Sequence, residues 1–71
     1  MFVVYVVCKG ERGEGHTPLA VRTTWAGAVW VARRQAPVGH QIRWHIEEGV
    51  WIATLPNGTD QVAIYRFHTE V

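Results

Sequence analysis

The sequence predicts an α+β domain: a single antiparallel sheet of four to five strands with one helix packed on one face, the elements running β-β-α-β-β-β. Three observations lead there. Residues 2–8, Phe-Val-Val-Tyr-Val-Val-Cys, are an unbroken run of β-formers, and only the stretch from Trp25 to about Gln35 has helical periodicity. Beyond Gln41, three strand-like runs follow one another, Ile42 to Ile46, Val50 to Leu55 and Gln61 to Phe67. With 71 residues the chain is one domain, 1–71, and a domain of this size buries only about 60% of its unfolded surface. A sheet with one helix laid across it then gives each element a partner for its apolar side.

The first run lacks polar alternation, the pattern of a central strand covered on both sides. Residues 9–17 break every periodicity with three glycines and four charged residues, so they read as a mobile, solvated loop. After Pro18, Leu19 to Arg22 forms a short strand, antiparallel to the first. Thr24 is placed to cap the helix, and Gly27 stands where a capping box would need Glu or Gln. At about 100° per residue, Trp25, Ala28, Val29, Ala32 and Ala36 share one side, with Val31 and Gln35 on its shoulder. Trp30 falls outside that stripe, beside Arg33 and Arg34. Pro37 and Gly39 end the helix.

In the third strand Ile42, Trp44 and Ile46 alternate with Arg43, His45 and Glu47, a half-buried pattern. Glu47-Glu48-Gly49 either turns the chain tightly or inserts a glycine bulge. Asn57-Gly58 suits the two positive-φ sites of a type I′ turn, setting Trp51 opposite Ile64 and Ala53 opposite Val62 on one face. Ile52 opposite Ala63 and Val50 opposite Tyr65 then share the other, with Phe67 beyond them. Both faces of this hairpin are apolar. One is therefore expected to meet the helix and the other a subunit or partner.

Several of these segments resemble a group of small bacterial and phage domains: Val4-Tyr5-Val6-Val7, the glycine- and acid-rich stretch from Gly10 to Gly15, Leu19-Ala20-Val21 with Thr23-Thr24, Ala28 in the helix, and Ile46-Glu47-Glu48. The resemblance covers roughly residues 3–48. It implies a β-β-α-β fold and a bacterial or phage accessory role, and it carries no functional residues with it. Arg22 stands where the group has an aromatic, Trp25-Ala26-Gly27 replaces a polar first turn, and the hairpin after Gly49 goes beyond the pattern.

Chemistry is sparse. A formal charge of +1 with four histidines supplies no long-range field toward nucleic acid or anionic membrane. The lone Cys8 rules out an internal disulfide framework and suits a reducing compartment. The apolar start is too short to span a bilayer and lacks an export signal's pattern, so a cytoplasmic protein without membrane contact is expected. His16, His40, His45, His68 and Cys8 have no chelating spacing, so no metal or other cofactor is expected. Cys8, His45 and Glu47 are the residues an enzyme would have to use, but Cys8 lies in an apolar run that disfavours its thiolate. The Gly10, Gly13 and Gly15 spacing lacks the Gly-Lys-Ser/Thr ending of a phosphate loop. The expectation is a protein without enzymatic activity.

The remaining signal is an excess of large apolar side chains, with four tryptophans in so short a chain. That points to protein–protein interaction, with Trp30, Arg33, Arg34, Trp51 and Tyr65 as candidate contact residues. A homodimer is the simplest form, and the resemblance adds a host protein as a second partner. Nucleic acid is the alternative partner, bound by Arg33, Arg34 and Arg43 with neighbouring aromatics.

Overall fold

The structure, a computed structural model, describes residues 2–69. Five strands and one helix follow in the order β1 (Phe2–Glu11), β2 (His16–Arg22), α1 (Trp25–Arg33), β3 (His45–Glu47), β4 (Val50–Thr54) and β5 (Asp60–Thr69). The strands make one sheet in the order β2-β1-β5-β4-β3, with antiparallel pairing throughout. This is the α+β architecture expected from the sequence, and the unbroken apolar run of β1 occupies an inner position between β2 and β5.

Helix α1 lies across one face of the sheet. Thr24 is extended (φ −126°, ψ 149°), and its Oγ1 accepts from the Gly27 N–H at 3.1 Å, as its capping position predicts. Ala28, Val31 and Ala32 are the helix's buried residues and meet Val7, Val62, Ile64 and Leu55 in the main core. Two alanines at the contact let the helix sit close to the strands. The buried stripe is rotated toward Val31 relative to the expected one. Val29 and Ala36 pack at its margin, and Trp25 stays 37% exposed.

Three local expectations are corrected. The expected loop 9–17 narrows to a turn at 12–15. Lys9, Gly10 and Glu11 pair with Val62, Gln61 and Asp60 of β5, and Lys9 and Gly10 also meet Thr17 and His16 of β2. Long-range pairing on both sides outweighs the glycines' poor β propensity. Gly10 itself is required by a close approach. A Cβ there would stand 2.5 Å from the Gly15 carbonyl oxygen and 2.9 Å from the His16 ring.

The run from Ile42 to Ile46 is not a strand over its length; only His45–Glu47 joins the ladder. Ile42 and Trp44 are half-buried, and Trp44 packs on the core beneath the helix instead of extending the pairing. The turn after Glu47 resolves as a tight hairpin, with Glu48 and Gly49 at φ 51° and 79° between the paired Glu47 and Val50.

The Asn57-Gly58 turn is a four-residue loop, not a two-residue type I′ turn. Of the two residues only Gly58 has positive φ, 81°. A two-residue loop would need the Pro56 N–H for the pair beside it, and proline has none. Instead the Gly58 N–H donates to the Leu55 carbonyl at 2.9 Å, the Leu55 N–H donates to the Asp60 carbonyl at 2.7 Å, and Asn57 Oδ1 accepts from the amides of Thr59 and Asp60. The loop keeps the same centre. The register is therefore the expected one, with Trp51, Ile52 and Ala53 opposite Ile64, Ala63 and Val62.

Candidate functional site

The alternation of the strands places Val7, Val62 and Ile64 under the helix and sends their neighbours to the opposite face. There the ladder aligns Val21 with Val6, Val6 with Tyr65, Val4 with Phe67, Cys8 with Ala63, and Ala63 with Ile52. Cys8, Ile52 and Ala63 form a second buried cluster with Val6, Val50 and Tyr65 packed against it, and no helix residue belongs to it. The Tyr65 hydroxyl is 2.9 Å from His16 Nδ1, which ties β5 to β2 across β1. Tyr65 and Phe67 stack at 6.3 Å between centroids and 12° between planes.

This helix-free face is apolar at its centre, with Glu47 and Glu48 beside Val50, Ile52 and Tyr65 at its β3 end. Val21 is exposed and Phe67 is 50% exposed, with Val4, Val6, Val50 and Tyr65 half-buried. Lys9, Arg22 and Arg66 alternate to the helix side. The face carries Glu47 at its β3 edge, 3.4 Å from His45, and both are well exposed. Burial pushes the Cys8 thiol above its ordinary value, so it is poorly suited to act as a nucleophile. Among the described residues no group of three or more His, Cys, Asp or Glu side chains converges on a metal position. Nor is any helix there long and apolar enough to cross a membrane.

The five candidate contact residues separate into three places. Tyr65 belongs to the helix-free face. Trp30, 57% exposed, stands on the outer side of α1 with the Arg34 guanidinium 4.7 Å from its ring centroid, a cation–π pair. Arg33 borders two shallow grooves, one shared with Trp25 and Trp30 and the other with residues 39–42 and Trp44. Arg43 is exposed and borders neither.

Trp51 lies on the helix side, in an aromatic cluster that the sequence reading missed. The Trp25 ring is its hub, 5.3 Å from Trp51, 5.7 Å from Tyr5 and 6.5 Å from Trp44. None of the four indoles is fully buried. Phe67 lies on the Tyr65 face, where the strand alternation sets it. Val21 was missed as a surface residue; it falls on the same side only once its pairing with Val6 is known.

No family model matches the chain, and the comparisons with curated proteins and with solved structures give no match either.

Proposed function

We propose that this chain is a non-enzymatic interaction protein that works as a homodimer joined through its helix-free sheet face. The observation that supports this is the row of apolar side chains, Val21, Val6, Tyr65, Val4 and Phe67, with no second layer above it among the described residues. The β2-β1-β5 part of the face, away from Glu47 and Glu48 at the β3 end, can meet its own copy without setting like charges against each other, as a twofold interface requires. Five strands about 4.8 Å apart and averaging roughly 24 Å in length, with β3 and β4 the shortest, offer on the order of 600 Å² per protomer. Two such faces reach about 1,200 Å², the lower end of what stable complexes bury.

Isotope-filtered NOE spectroscopy on a mixture of labelled and unlabelled protein tests the interface. Intermolecular contacts from the Val4 and Val6 methyl groups and the Phe67 ring are expected. Contacts from Trp30 and Ala26 in their place would put the interface on the helix.

The Trp30–Arg34 pair remains outward in such a dimer and supplies an aromatic and cationic anchor for a further protein partner. A bacterial or phage accessory role, directed at a host protein, draws its support from the resemblance over residues 3–48, and a cytoplasmic location draws its support from the lone Cys8. The nucleic-acid alternative uses Arg33 and Arg34 beside Trp30, together with the exposed Arg43, which borders neither groove. Salt-sensitive retention on heparin that is lost in the double variant Arg33→Ala, Arg34→Ala would favour it.

A further inference from the structure

On the helix side, α1 ends short of the far end of the sheet and leaves a cleft of about 530 Å³ beside its first turn. Tyr5, Trp25, Trp51 and Ile46 form its apolar lining, and Arg66 and His68 on β5 supply its polar groups. The contacts of Trp25 with Tyr5 and Trp51 hold the aromatic wall in place before any ligand arrives. Among the described residues no carboxylate lines the cleft and no ion pair engages Arg66. The first turn of α1 contains no acidic residue, so the positive end of the helix adjoins Trp25 without a countercharge.

The geometry points to a binding site for a nucleotide, its planar base stacked on the Trp51 ring with Trp25 tilted at its edge, and its phosphate held by Arg66 with His68. Aromatic faces accept any base by stacking, and the guanidinium fork matches phosphate oxygens in pairs. The cleft lies within the size range that encloses a ligand of several linked groups, larger than a lone ring or a lone anion. The site occupies the face opposite to the dimer surface proposed above and does not depend on it.

Titrating the full chain with adenosine 5′-monophosphate while following tryptophan fluorescence tests this, with Trp30→Phe as the background to remove the indole outside the cleft. Saturable quenching is expected. Arg66→Gln, at an exposed position, should keep the circular dichroism spectrum and weaken binding about ten- to hundredfold. Adenosine without phosphate should bind more weakly by a similar factor, and Trp51→Leu should remove most of the quenching. The proposal is overturned by an absence of saturable quenching up to millimolar nucleotide, by equal affinity for adenosine and its monophosphate, or by inorganic phosphate binding as tightly as the nucleotide. Unchanged affinity in Arg66→Gln overturns it as well.

Discussion

On one side of the sheet Val7, Val62 and Ile64 lie beneath Ala28, Val31 and Ala32, all of them buried. On the other side Val6, Tyr65 and Phe67 are the same kinds of residue at neighbouring positions of the same two strands, with no second layer above them. Both faces of β1 and β5 carry strong β-formers at their centres, so β propensity cannot explain the difference. What differs is supply: the described residues hold one helix of nine residues, enough to roof one face only. Apolar alternation on the second face makes physical sense when a second layer comes from outside the chain.

The largest effect should come from the roofed side. Ile64→Ala removes a side chain that is only 1% exposed and should cost about 2–5 kcal/mol in urea unfolding, because the packed layers on both sides limit collapse of the cavity. That loss should be independent of protein concentration. Phe67→Glu, on the open side, should change monomer stability by no more than about 0.5 kcal/mol, the range for surface substitutions. A comparable cost for both in dilute solution would break the comparison between the faces.

Cys8 sharpens it further, since it lies on the open side yet is only 4% exposed. Its thiol is raised above the ordinary 9.0 by desolvation, so the folded state holds the proton more tightly than the unfolded chain does. Its contribution is fully present below the ordinary value and is lost as pH rises through it toward the raised one. Urea midpoints at pH 7.5 and 10 should therefore fall more for the wild type than for Cys8→Ala. Equal falls would mean that the thiol is open to water. A smaller gain should come from Glu48→Asn, which relieves a left-handed residue in a turn suited to Asn-Gly. About 0.5–1 kcal/mol of added stability in thermal melts is expected.

The sheet was legible in the sequence because its strands are long or strongly patterned. The β4–β5 register followed from the centre of the 56–59 loop even though the turn type did not, since a four-residue loop around Asn57-Gly58 leaves the partners of Trp51 and Ala53 unchanged. The 42–44 segment was misread because inward alternation of Ile42 and Trp44 looks the same whether or not a neighbouring strand bonds to the backbone. The separation of Trp51 from Tyr65 onto opposite faces could be read locally. The Trp25 cluster could not: it joins Tyr5, Trp25, Trp44 and Trp51 from four separate segments, and their meeting depends on where the short helix comes to rest. The uncovered face was legible as a surplus of apolar positions, whereas its boundaries needed the strand order.

Sedimentation equilibrium of the wild type and Phe67→Glu, across the micromolar range, addresses the origin of the missing layer most directly. The wild type should pass from the 8.1-kDa chain mass to twice that value as concentration rises, while Phe67→Glu stays at the single-chain mass and Trp30→Ala follows the wild type. A wild type that holds the single-chain mass throughout, or a Phe67→Glu variant that dimerises as well as the wild type, would contradict the account.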